Sequence, residues 1–526
     1  MRRTYKRTIP LILAALVALF SSCGTETVSS SLSPLDGSSS DSSISGYSET
    51  ASELRGVYIT TAYNLNFPSR SGESAAELAA ELDAIVENAV LWGMNTIIFQ
   101  ARAESDALYS SEIFPTSAYL VVSQGDELPD GFDPLEYLVT AAHAVGIDVY
   151  AWLNPLRVTR GGSAENPKTD LSALAETNPA RQNPELTYEY AGELYYDPGL
   201  PEVRELIADG VYEVVANYDI DGVLFDDYFY PYPEGSGEVD ENGDTVYIEI
   251  DDADSYALYG DGADIDDWRR ENVNLLIEAC YNAAKSADAD CKFGIAPFGI
   301  WQNDDGENGG SGTSGFEAYS SLYCDALSWA EGGYVDFLAP QIYWSFDKSS
   351  AAYDVLANWW NAQLDGTGVT LYISHGVYKY GTDEWSAAGI VDEITAEIEY
   401  ARQLISYRGS MLYGYAALAA DTDGVSGEVT SCFADEILYS APISTGAGVN
   451  IISHDYGEYL TLETVKLTGT SDPAYPVTCD GKKISRRRDG SFYVTITLAD
   501  GENFIEFMQN GSPFVLKLYH GSDFPP

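Results

Sequence analysis

Histidine is scarce in this chain, 4 in 526 residues, so triads or metal centres built from several imidazoles are not expected. Basic side chains are thin as well: 27 Lys and Arg stand against 82 Asp and Glu, a formal net charge of −55. A charge of that size repels phosphate backbones, which excludes a nucleic-acid partner. It also keeps the chain off anionic membrane surfaces unless something anchors it. The 6 cysteines show no C-x-x-C spacing, so neither a zinc site nor a disulfide framework is expected. Cys280 and Cys291 are close enough in sequence to pair, with buried free thiols as the alternative. No phosphate loop of the form GxxxxGK[ST], no G-x-S-x-G and no HExxH occurs. No cofactor and no metal are expected. What is plentiful is tyrosine, 39 residues, together with 9 Trp. Flat aromatic surfaces of this kind suit sugar rings.

The first 23 residues read as a lipoprotein signal peptide. Arg2, Arg3, Lys6 and Arg7 precede a short apolar run at 11–20, and Phe20-Ser21-Ser22-Cys23 ends it. The end resembles a bacterial lipobox, with Phe20 where Leu is usual, and Cys23 would be the lipidated residue. Residues 24–50 hold 11 Ser and almost no large apolar side chain, a flexible tether. The chain is thus expected on the extracellular face of the bacterial membrane, bound to it only through the lipid anchor.

From 51 to 440, apolar strand-like runs alternate with amphipathic helical ones. The strands are expected at 56–63, 96–102, 147–155, 221–229, 292–299, 335–344, 370–377 and 411–418. They are continuously apolar, as strands covered on both faces should be. Helices are expected at 74–93, 133–146, 200–218, 266–287, 316–333, 350–364, 388–409 and 430–440. Eight strand–helix repeats predict a (β/α)8 barrel, with functional groups at the C-terminal strand ends. Residues 445–526 differ: short alternating runs are punctuated by Asp480-Gly481, Asp489-Gly490, Asp500-Gly501 and Asn510-Gly511, which predicts a small β-sandwich. Lys482, Lys483, Arg486, Arg487 and Arg488 form a basic cluster there, either a solvated turn or a contact for an anionic glycan.

The strand ends collect amides, aromatics and carboxylates. Candidates to hold a substrate are Asn64, Gln100, Arg102, Trp152, Asn154, Arg157, Tyr228, Trp301, Gln341, Tyr343, Trp344 and His375. Paired carboxylates at such a rim are what hydrolysis of a glycosidic bond requires, one to protonate the leaving oxygen and one to attack or activate water. The fourth strand, Asp221-Gly222-Val223-Leu224-Phe225-Asp226-Asp227-Tyr228, ends in two adjacent aspartates, costly unless they have work or partners. Strand alternation predicts that one enters the pocket and the other makes a structural contact. Asp226 is the first catalytic candidate and Asp227 the second, with an Asp–Arg structural pair as the alternative. For the acid, Asp106 comes first and Glu104 next, although Asp106 could instead cap a turn or pair with Arg102. A chitinase-type strand would need Glu where Tyr228 stands, which disfavours substrate-assisted cleavage by that route. His375 either meets a substrate or is a buried structural group. The acidic stretch 234–265 lacks the D-x-D-x-D-G calcium pattern with its distal Glu and reads as a solvated insertion.

These motifs resemble the bacterial glycosyl-hydrolase-like family ten, whose members are often lipoproteins. The matching stretches include Leu54-Arg55-Gly56-Val57, IIFQARAESDALYSS (97–111), DPLEYLVTAAHAVGIDVYAWLNPLRV (133–158), DGVLFDDYFYP (221–231), FGIAPFGIW (293–301) and APQIYW (339–344). The resemblance implies a (β/α)8 barrel, glycoside hydrolase activity and a polysaccharide substrate, with bacterial cell-wall (peptidoglycan) glycan as the suspected one. The family's Gln-x-Arg falls on Gln100 and Arg102, its Asp-Ala-Leu-Tyr on Asp106 to Tyr109, and its paired Asp on Asp226 and Asp227. Ala103-Glu104-Ser105 stands where Pro-x-Gly is expected. The C-terminal region resembles Ig-like modules of cell-surface enzymes. A non-catalytic glycan-binding surface lipoprotein is the alternative reading.

Overall fold

The computed structural model describes residues 51–307, 309–382, 385 and 392–521. The expected signal peptide with Cys23 and the expected Ser-rich tether lie outside them. Eight parallel strands form the centre: β1 (Leu54–Ile59), β2 (Thr96–Arg102), β3 (Asp148–Leu153), β4 (Gly222–Phe225), β5 (Lys292–Ile295), β6 (Phe337–Leu338), β7 (Thr370–Gly376) and β8 (Tyr407–Tyr413). Each pairs with the next, and Gly409 of β8 lies opposite Leu54 of β1, so the sheet closes on itself. This is a (β/α)8 barrel. Helices α1 (Ala75–Leu91), α2 (Pro134–His143), α3 (Pro201–Asn217), α4 (Ile265–Ala287), α5 (Ala326–Gly332), α6 (Tyr353–Leu364), α7 (Glu393–Ala401) and α8 (Val425–Cys432) follow the strands in turn.

Side-chain parity divides the core. Tyr58, Ile98, Tyr150, Trp152, Leu224, Phe337 and Met411 fill the lumen, while Val57, Ile97, Val149, Val223 and Phe225 meet the helices. Gly294 makes room in the lumen, since a Cβ there would lie 2.5 Å from the Phe337 ring. Helix starts follow their caps. Ser74 and Glu77 form a capping box on α1, and the Asp133 carboxylate accepts from Leu135 N at 3.0 Å and Glu136 N at 3.1 Å.

Several elements are shorter than expected, each for a local reason. The run 335–344 is broken at Pro340, which has no N–H to give the ladder, leaving β6 and a two-residue piece at Gln341–Ile342. The helix expected over 316–333 is interrupted at Tyr323, whose φ is 54°, and restarts where Asp325 caps α5. The eighth strand begins at Tyr407 and ends at Tyr413, where Gly414 takes a φ of 134°. The last expected helix stops at Cys432; Leu438–Tyr439 pairs instead with Ala51–Ser52. Cys280, Cys291, Cys324, Cys432 and Cys479 are free thiols, all but Cys432 buried. In the acidic stretch, Asp252 is buried and paired with Arg269 at 2.7 Å, and Asp264 caps α4.

The C-terminal region holds two sheets. One joins Asn450–Ile451, Thr464–Thr470 and Ser491–Thr497; the other joins Glu458–Leu460, Ser512–His520, Gly501–Gln509, Val477–Cys479 and Lys482–Lys483. Leu467, Val477, Phe492, Phe507 and Leu518 pack between them. Asp480-Gly481 and Asn510-Gly511 are two-residue hairpin loops with positive φ at both positions, the geometry such dipeptides favour.

Part of the basic cluster docks this region onto the barrel, while Lys482, Lys483 and Arg487 stay exposed. Arg486 is buried, with Nη2 and Nε 2.6 and 2.9 Å from Asp365 Oδ2 and Nη1 donating to Asp472 O at 2.7 Å. Arg488 Nε donates to Arg402 O at 2.9 Å, and Lys483 Nζ to Gln363 O at 2.9 Å. Removing the cation of a buried pair strands the anion, so Arg486→Ala is expected to lower stability by about 3 kcal/mol in urea denaturation.

Candidate active site

β4 leaves the ladder at Phe225, and the next two side chains are Asp226 and Asp227, both buried. Because regular strand geometry ends one residue earlier, parity no longer separates them. Both line one cavity of about 320 Å³ at the C-terminal mouth of the barrel, which corrects the expectation that one would turn away. Its walls are aromatic. Tyr343 and Tyr413 stack at 5.8 Å and 13°, Trp344 meets Phe298 edge-on at 5.5 Å, and Tyr58 and Trp152 rise from the lumen.

The two carboxylates have different surroundings. Asp226 accepts from Trp152 Nε1 at 3.0 Å and from Asn154 Nδ2 at 3.0 Å, with Tyr228 N at 3.3 Å. Asn154 is itself oriented by Arg157 N, which donates to its Oδ1 at 2.9 Å. Burial raises the Asp226 carboxyl, and the Trp152 and Asn154 donors, with Arg160 and Arg157, oppose that rise. Asp227 accepts from Gln341 Nε2 at 3.1 Å and from the Tyr232 hydroxyl. Burial, and then the neighbouring Asp226 charge, push the Asp227 carboxyl up to about 6. Tyr232 donates to the ionised form, so Tyr232→Phe should raise this value further. The alkaline limb of an activity profile is then expected to move upward by about one pH unit, measured as kcat/KM against pH.

Of the substrate-binding candidates, Trp152, Tyr228, Gln341, Tyr343 and Trp344 line the cavity. Asn154 and Arg157 stand just behind it, the Arg157 guanidinium 4.7 Å from the Tyr228 ring centre. The others lie elsewhere. Gln100 Oε1 accepts from Thr61 N and Ala62 N, both at 2.9 Å, and so shapes the loop after β1. Asn64 Nδ2 donates to Pro68 O and Tyr119 O. The register between β2 and β3 shifts between Gln100 and Arg102, and Arg102 ends outside the lumen, 4.3 Å over the Phe114 ring. Trp301 stacks on Trp359 at 5.6 Å. His375 has the parity of the helix-facing residues: Nδ1 lies 2.9 Å from Glu397 Oε2 and Nε2 2.8 Å from Ser410 Oγ. Burial lowers its imidazole to about 3, so it is uncharged near neutrality.

The acid candidates after β2 also have other work. Asp106 Oδ2 accepts from Gln124 Nε2 at 2.9 Å and Ala118 N at 3.4 Å, which ties down the segment after β2. It does not line the cavity, and Arg102 is not its partner. Glu104 accepts from Tyr119 OH at 2.6 Å, with Arg160 Nε at 4.0 Å. Burial, then the Asp106 charge, push it up to about 7. Tyr58, Tyr232 and Lys379 contribute to the cavity without having been singled out. Tyr58 has lumen parity and could have been found by alternation; nothing in the spacing marks Tyr232 as the Asp227 donor.

Residues 53–388 match a protein family described as Glycosyl hydrolase-like 10. The chain belongs to this family. Glycosyl hydrolase-like 10 relatives include the glycosyl hydrolase YngK of Bacillus subtilis (strain 168), 38% identical over 396 residues, 74% of this chain and 72% of that protein. The glycosyl hydrolase DigH of Escherichia coli (strain K12) is 32% identical over 433 residues, 78% of this chain and 94% of that protein. Among solved structures, the endo-β-1,4-mannanase of Thermotoga petrophila aligns with a TM-score of 0.41 and 11% identity, over 90% of this chain and 98% of that one.

Proposed function

We propose that this chain is a cell-surface glycoside hydrolase that cleaves glycosidic bonds in a polysaccharide, bacterial cell-wall (peptidoglycan) glycan strands being the substrate. The observation that carries the reading is the cavity, where two carboxylates in contrasting environments stand among stacked aromatic rings. Groups whose surroundings differ in this way take different proton roles. Asp226, held by N–H donors and near two arginines, serves as the anion that stabilises developing positive charge. Asp227, raised by burial and by its neighbour, carries the proton for the leaving oxygen. The aromatic walls stack on sugar faces and exclude water. Membership of the family and the glycosyl hydrolase names of its relatives support the class of reaction. The location at the outer membrane face rests on the signal, Cys23 and the Ser-rich stretch. The C-terminal sheets serve as an Ig-like accessory module.

Product analysis by mass spectrometry tests this. The full chain is incubated with peptidoglycan, with peptide-free glycan strands and with a polysaccharide panel. Soluble fragments are expected from the glycan strands. Glycan retention without fragments from any substrate would overturn the hydrolase reading in favour of a binding protein.

A further inference from the structure

The cavity's carboxylates are consecutive residues at one strand end, and this constrains how a bond could be broken. Among the described residues lining the cavity, Asp226 and Asp227 are the carboxylates, and both leave from β4. Facing them are Tyr343, Tyr378 and Tyr413, contributed from the β6 to β8 side. Glu104 is not part of the lining and is engaged by Tyr119. Double displacement by two enzyme carboxylates needs them on either side of the anomeric carbon, about 5–5.5 Å apart, and inversion needs a wider gap with room for water. Both aspartates leave one wall, and their donors fan them apart, Asp226 toward Trp152 and Asn154 beside β3 and Asp227 toward Gln341 after β6. Protonation of the leaving oxygen is provided for, whereas among the described residues lining the cavity no further carboxylate stands opposite the pair.

We infer that the nucleophile belongs to the substrate: the 2-acetamido group of an N-acetylated amino sugar attacks its own anomeric carbon, with Asp226 holding the acetamido N–H and Asp227 acting as the acid. This deepens the hydrolase reading and rests on it. The acetamido carbonyl oxygen forms a bond to C1 as the C1–O bond to the leaving sugar breaks. The bonding pair goes to the leaving oxygen, which takes the Asp227 proton. The cyclic oxazolinium ion is paired with the Asp226 carboxylate, already fixed by Trp152 and Asn154. Water then attacks C1, gives a proton to Asp227, and the ring C1–O bond opens to restore the acetamido group. Two displacements give net retention. The route does not use the position of Tyr228, so the missing Glu there does not bear on it.

The test uses the full chain and peptide-free glycan strands that have been de-N-acetylated and re-acylated with acetyl, fluoroacetyl or trifluoroacetyl groups. Fluorine withdraws electrons from the attacking oxygen without a large change of shape. Hydrolysis is expected to slow at each step, by about 10²-fold or more for trifluoroacetyl, as an intramolecular nucleophile is weakened. The first-formed product, followed by NMR, is expected to retain its anomeric configuration. Hydrolysis with inversion, or at rates indifferent to fluorination, would overturn the inference and leave the hydrolase reading standing. No hydrolysis of any strand would overturn both.

Discussion

Asp227→Asn is expected to lower kcat on glycan strands by about 10²–10⁴-fold, the usual contribution of a positioned proton donor. The carboxyl is buried, its value is pushed up to about 6, and Asn keeps its shape and can still meet Gln341 and Tyr232. Binding of the glycan should therefore change little, and the loss should fall on kcat rather than KM. Wild-type activity needs the protonated form, so it should decline as pH rises through about 6, and the variant should lack that limb. Substrates with a good leaving group, which need little protonation, should recover much of the rate. A loss confined to KM, or an unchanged pH profile, would remove Asp227 from the acid's role. Circular dichroism and a urea midpoint would confirm that the variant is folded.

Asp226→Asn is the second large effect, about 10²–10³-fold in kcat, the size seen when one preorganised electrostatic contact to a developing charge is removed. Its pH signature runs the opposite way to that of Tyr232→Phe. The Asp226 charge raises Asp227, so neutralising it lets Asp227 ionise more easily, and the alkaline limb of the remaining activity should move below about 6. Trp152→Phe, which removes one donor from Asp226 while leaving the ring in the lumen, should give a smaller loss in the same direction. An Asp226→Asn protein with unchanged kcat would mean that this carboxylate only positions its neighbour.

The barrel was legible because eight apolar runs alternate with amphipathic ones, and because strands covered on both faces must be apolar throughout. That same continuity hid their parity. Gln100, Arg102 and His375 sit near strand ends and look like rim residues, yet the register shift in β2 turns Arg102 outward, and His375 follows the helix-facing series. Asp226 and Asp227 stood out as adjacent charges at the end of an apolar strand. The partnership with Asp227 was obscured by the assumption that the strand continues through both. Asp106 resembled an acid because it follows the end of the second strand; its partners, Ala118 and Gln124, lie in a connecting segment whose path no periodicity describes. The basic run in the C-terminal region was visible as composition only, since Asp365, the partner of Arg486, is distant in the chain.

That the two aspartates are consecutive has a bearing on how such a protein can diversify. Groups contributed by separate loops drift apart when either loop gains or loses residues, whereas a dipeptide step carries its own spacing. Connections around the mouth can then be lengthened, exchanged or trimmed while the aspartate pair stays intact. The fully exposed hairpin of Gly235–Val239 and Thr245–Tyr247 lies in the connection that directly follows the pair. In this architecture the connections are free to vary around two carboxylates that a single strand end hands down whole.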